Sequence, residues 1–171
     1  MKKDYSAVNR AKLVDEPIVE MILAHKYSKQ NVKFMKADLE SDYNGTDIIC
    51  YSDGVKKSIN VKRNSSKHYN SPNFSISINK NNLTMFRNTS FIFIDEVADS
   101  LYTVDGTALL SYILNNSNNI NTNANKFWVV IPKTDIISMA NDMPDGIIHY
   151  NKNISKLFEL GRDESKYKEL L

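Results

Sequence analysis

Two β-type runs meeting at a tight corner constrain the fold of this chain more than any other stretch. Gly45-Thr46-Asp47-Ile48-Ile49-Cys50-Tyr51 leads into Ser52-Asp53-Gly54, and Ser58-Ile59-Asn60-Val61-Lys62-Arg63 follows. An Asp-Gly step between runs rich in Ile and Val is a hairpin signal, because Asp and Gly tolerate the positive φ angles a tight turn demands. The second run alternates Ile59 and Val61 with Ser58, Asn60 and Lys62, so Asn60 and Lys62 project from one face. Asp47, on the neighbouring strand, reaches the same spot if the register permits. An acid on one strand and an amide-x-lysine triplet on the next can hold a divalent cation beside a cationic side chain. That combination points to phosphodiester chemistry.

The rest of the chain reads as alternating helical and β-type segments. Val14, Ile18, Val19, Ile22 and Leu23 recur at helical spacing over 14–27, with Pro17 in the first turn. Glu20 falls just outside that apolar arc and faces either a cleft or water. The polar stretch 38–44 reads as a loop. Short strands are expected at 74–78, 102–104 and, at a sheet edge, 147–150, and the apolar run 90–95 suits a buried central strand. The run 127–131 is β-type and halted by Pro132, and the spacing predicts helices over 107–114, 136–140 and 154–160. The Asn-rich stretch 115–125 reads as a flexible connection. No internal repeat and no dividing linker is visible.

With 171 residues, the chain fits one domain with a continuous hydrophobic core. No apolar run approaches the roughly 18 residues of a membrane span. The N-terminus lacks the apolar stretch of a secretion signal, and the single cysteine cannot form an internal disulfide, so cytoplasmic residence is the expectation. A formal charge of +2 is too mild to diagnose a nucleic-acid partner. Local clustering of Lys56, Lys57, Lys62, Arg63, Lys67 and His68 suggests one electropositive edge, or else a solvated basic hairpin.

The order of these parts resembles the core of the PD-(D/E)xK nuclease superfamily, the restriction-endonuclease-like enzymes. The features carrying the resemblance are a helix with Glu20, a strand with Asp47, a hairpin, a strand with Asn60-Val61-Lys62, then a buried strand and a helix. They cover residues 14–114, with 115–171 as a C-terminal extension of the same single domain. The resemblance implies an α/β fold with a mixed central β-sheet flanked by helices and an Mg²⁺- or Mn²⁺-dependent endonuclease, with DNA as substrate. It makes Asp47 the metal-binding aspartate and Lys62 the catalytic lysine, and places Glu20 and Asn60 at the remaining metal positions. Asn60 departs from the Glu or Asp usual there. The backbone carbonyl of Val61 offers a further ligand. Asp38 or Asp42 could replace the missing carboxylate. Phosphate contacts are expected from Lys56, Lys57, Arg63 and Lys67, and a homodimer follows by analogy with many relatives.

The alternative is a nuclease-like fold without catalysis, serving as a nucleic-acid-binding or protein-interaction module. Other candidates read as structural. His25, His68 and His149 lack metal-ligand spacing, and Cys50 lies on an apolar strand as a packing residue. Ser65 to Tyr69 reads equally as a phosphate clamp or a polar loop. Phe127 and Trp128, embedded in an apolar strand, read as core and not as a base-stacking platform. Gly-rich phosphate loops and nucleophile elbows are absent from the sequence, which counts against P-loop, Rossmann and α/β-hydrolase chemistry.

Overall fold

The computed structural model describes residues 10–38, 46–116, 120–122, 125–160 and 162. A π-helical segment, Ala11–Asp15, runs directly into α1, Glu16–Lys26: the Glu16 N–H donates to Ala11 O, and Pro17, which has no N–H, follows in the first α-helical turn. Strands β1, Val32–Lys36, β2, Ile48–Ser52, and β3, Val55–Lys62, form an antiparallel meander. The corner between β2 and β3 has positive φ at both Asp53 (52°) and Gly54 (78°), the conformation that matches a hairpin to the twist of its strands.

The chain then leaves this sheet to make β4, Asn73–Asn79, and a long 3-10 segment, Lys80–Asn88, before returning as β5, Thr89–Asp95, parallel to β3. β6, Ser100–Asp105, folds back antiparallel onto β5 and ends at α2, Gly106–Asn115, whose first turn is capped by Asp105 Oδ2 accepting from the Ala108 amide at 3.1 Å. β7, Ile120–Thr122, and β8, Lys126–Pro132, follow, then α3, Lys133–Asn141, β9, Ile147–His149, and α4, Lys152–Leu160. The fold is α/β: a mixed six-stranded sheet in the order β1-β2-β3-β5-β6-β9, with helices on its faces. A second, antiparallel sheet, β4-β8-β7, was not anticipated from sequence.

Alternation along the strands divides the side chains between two cores. On one face Ile48, Cys50, Ile59, Ile92, Ile94 and Leu101 pack against Ile18, Val19, Ile22 and Leu23 of α1 and Phe158 of α4. On the other, Phe91, Phe93, Tyr102 and Val104 meet Phe74, Ile76 and Ile78 of β4, Phe127, Val129 and Ile131 of β8, and Leu109, Ile113 and Ile136 from α2 and α3. β5 is covered on both sides, as its unbroken apolar run requires. β9 sits at the sheet edge, as expected. The Asn-rich connection contributes strand β7, while residues 117–119 and 123–124 lie outside the described residues, as do Asp42 and most of the 38–44 loop. Phe127 is buried as expected, but Trp128 points the other way and is 45% exposed. Among the described residues no helix is long and apolar enough to cross a membrane.

Candidate active site

β3 overhangs the start of β2. Ile48, the first residue of β2, pairs with Ile59, so the triplet Asn60-Val61-Lys62 runs past it. Asp47 fills the gap. Its backbone N–H donates to Ile59 O at 2.9 Å, its carbonyl accepts from the Ala37 amide at 3.2 Å, and its Oδ2 accepts from the Val61 N–H at 2.7 Å. The aspartate that the sequence singled out therefore bonds to the middle of the triplet that the sequence singled out. A charge-assisted bond to a backbone amide fixes the carboxylate's direction as well as its position.

Asn60 and Lys62 alternate with Ile59 and Val61, which belong to the α1-side core, and so lie on the opposite face of β3. Asn60 is buried and Lys62 half-buried. Burial pushes the Lys62 pKa below the usual lysine value, the Asp47 carboxylate opposes that fall, and Lys126 adds to it. Lys62 is a cation whose charge burial disfavours and the neighbouring Asp47 carboxylate supports.

Glu20 and Arg63 are not brought here, and Lys56 and Lys57 lie at the far end of β3. Glu20 is carried by α1, which packs on the other face of the sheet, away from Asn60 and Lys62. Arg63 also points to that other face, because it follows Lys62 by one residue. Its guanidinium is bound by Asp15 Oδ1 at 2.6 Å and by the Glu96 carboxylate, and its side chain is 4% exposed, so it is not offered to a phosphate backbone. Arg10 joins Asp15 at 3.4 Å, and Arg162 bonds Glu96 at 2.9 Å while its guanidinium lies over the Tyr69 ring. Burial raises the pKa of both Asp15 and Glu96 above the usual carboxylate range, against the pull of these arginines. Sequence reasoning missed this network, since Asp15, Arg63 and Glu96 share no local pattern.

Lys56, Lys57 and Lys67 are exposed. Lys56 and Lys57 line a cleft of about 320 Å³ together with Arg87, Asn88, Thr89 and Ser90, and with Asp105 as an acid in its wall. This cleft lies at the opposite end of β3 from Lys62, ~20 Å away along the strand. Arg87 went unnoticed in the sequence because the 3-10 segment carrying it has no distinctive pattern. A different cavity of about 220 Å³, lined by Leu23, Tyr27, Phe34, Cys50 and Ile92 among others, opens on the α1 side and does not touch Asp47 or Lys62. Burial raises the Cys50 thiol pKa, which fits a packing residue better than a nucleophile.

Among the described residues, no three or more His, Cys, Asp or Glu side chains gather as a metal-binding group. The donors beside Lys62 are the Asp47 carboxylate and the Asn60 amide. Mg²⁺ is commonly held by one or two carboxylates with water and substrate phosphate oxygens completing the shell, so this set fits at its lower limit.

No protein-family model matches the chain, and no curated protein matches its sequence. Among solved structures, a nuclease from a fusselovirus aligns over 100% of this chain and 99% of its own, at 8% sequence identity and a TM-score of 0.46.

Proposed function

We propose that the chain is a metal-dependent nuclease hydrolysing phosphodiester bonds, with DNA as substrate and Asp47, Asn60 and Lys62 at its centre. The observation that carries this reading is the Asp47 carboxylate bonded to the Val61 amide, beside a lysine whose charge is disfavoured by burial. Asp47 and Asn60 would hold Mg²⁺ or Mn²⁺, which supplies Lewis acidity toward a phosphoryl oxygen and its bound water. Lys62 would face the phosphoryl group that is attacked. A desolvated ammonium gains more from negative charge developing on that group than an exposed one does, so its attraction concentrates in the transition state. Lys56, Lys57 and Lys67 would bind flanking phosphates electrostatically. Two copies acting on two strands would explain how one small domain cuts a duplex.

Among the described residues Asp47 is the one carboxylate acting on Lys62, which favours a second reading, a nucleic-acid-binding module with this fold and no catalysis. Incubation of plasmid, linear duplex, branched DNA and RNA with the protein and Mg²⁺ or Mn²⁺ separates the two. We expect cleavage, and a loss of about 10²- to 10³-fold in rate on Lys62→Ala or Asp47→Ala, with the fold intact by circular dichroism. Cleavage that survives both substitutions removes the assigned site. A protein that binds nucleic acid, cuts none of these substrates and fails to bind Mn²⁺ through Asp47 is the module instead.

A further inference from the structure

The outer face of the small sheet shows a tryptophan to solvent. Along β8, Phe127, Val129 and Ile131 turn into the core, while Lys126, Trp128 and Val130 turn outward and are exposed. Across the ladder, Lys126 pairs with Asn79, Trp128 with Ser77 and Val130 with Ser75. The indole therefore stands on a flat β-surface framed by hydroxyls and an amide, with a cation two residues away on the same side. Leaving an indole nearly half exposed forgoes a large part of its burial energy, and the sheet has an inner face that buries its other aromatic, Phe127.

Charge on this side of the molecule is segregated. Between Asp53 and Asp95, and again between Asp105 and Asp135, the sequence contains no Asp or Glu. All three strands of the small sheet and the 3-10 segment Lys80–Asn88 fall inside these acid-free stretches. The net charge of +2 conceals this, because the acids are concentrated elsewhere. A sheet whose own strands carry no acid, with an exposed lysine and an upturned aromatic ring, complements a polyanion that carries flat apolar rings. Its apolar part is small, Trp128 and Val130, which falls short of the roughly 800 Å² per partner expected of a stable protein interface.

We propose that the outer face of the β4-β8-β7 sheet is a stacking platform for unpaired bases of a single-stranded nucleic acid, with a base on Trp128 and a neighbouring phosphate on Lys126. A duplex hides its base faces in the stack, whereas a single strand offers them to an aromatic side chain. Trp128 and Lys126 are about 7 Å apart along β8. Lys126 also lies close enough for its charge to act on Lys62, so the platform borders the candidate active site. The ligand class rests on the proposed function; the metal site is not needed for it.

Trp128 is the only tryptophan of the chain, so its emission reports on this face alone. Metal-free protein in EDTA, titrated at low salt with a thymidine 12-mer and with a duplex of the same length, should show saturable quenching by the single strand and much weaker quenching by the duplex. Anisotropy of a labelled 12-mer should show binding weakened ~5- to ~150-fold by Trp128→Ala and largely kept by Trp128→Phe. Single-strand affinity unchanged by Trp128→Ala would overturn the platform, as would emission that responds to protein concentration but not to oligonucleotide, which would assign the face to self-association. Quenching without cleavage in Mg²⁺ leaves the platform standing and removes the nuclease reading; cleavage without quenching does the reverse.

Discussion

Lys62 holds its charge against its surroundings. Burial disfavours the ammonium by more than Asp47 favours it, and the folded protein therefore holds this proton less tightly than the unfolded chain does. Where the unfolded state binds more protons, stability rises with pH. The penalty at Lys62 is thus fully present below its lowered folded pKa and is relieved as pH climbs toward the ordinary value of 10.5. Lys62→Met should be more stable than the parent protein at pH 7, with the advantage narrowing near pH 10, as read from urea midpoints at both pH values. A gain in stability together with a loss of cleavage would mark a residue kept for function at the expense of folding. The shared face of Asn60 and Lys62 was legible because a strand's period of two places alternate residues on one face whatever surrounds it. Trp128 was not legible in the same way. The run Phe127 to Ile131 is apolar at every position, so its composition does not say which alternate set turns inward; only the partner layer over Phe127 and Val129 decides that.

Arg63 works at the scale of elements. It ties the turn before α1, through Asp15, to the residue that follows β5, through Glu96, and both carboxylates are buried. Removing the guanidinium leaves each acid with fewer cations in a poorly solvated place, a change that costs about 3–5 kcal/mol when a buried pair is broken. Arg63→Met should lose stability in that range at pH 7 by chemical denaturation. The gap should shrink in mild acid, because burial already raises the pKa of Asp15 and Glu96, and protonation removes the charges that have lost one of their cations. The elements themselves were largely readable. Alternation and turn residues located β2 through β6 and β8, and helical spacing located the four helices of the described residues. β1, Val32-Lys33-Phe34-Met35-Lys36, escaped notice because its lysines dilute the apolar signal on what proves to be an edge strand. The small sheet escaped because nothing local says that β4 leaves its sequence neighbours to pair with β8, some fifty residues on.

At the scale of the whole molecule, the central sheet separates the face that carries Asn60 and Lys62 from the face packed against α1. On the face of β3 away from α1, Lys56 lies at one end, beside Arg87, and Lys62 at the other, whereas Lys57 alternates to the α1 side and also lines the cavity there. A nucleic acid bound along this side would release counterions at each contact, so affinity should fall steeply with salt. Replacing Lys56 by Gln should make the slope of log affinity against log salt shallower by about 0.7 for a single strand, measured between 50 and 200 mM salt. The segregation of acids that supports this was present in the sequence, but the small net charge concealed it. The Arg63 clamp also guards against a particular error. Adjacent residues of a strand face opposite ways, so sliding β3 by a single position would turn the guanidinium toward Asp47 and push the ammonium among the carboxylates behind it. Asp15 and Glu96 grip the guanidinium in its own location, so the salt network acts as an alignment key: the Asp47–Lys62 edge is kept in phase from the far side of the sheet.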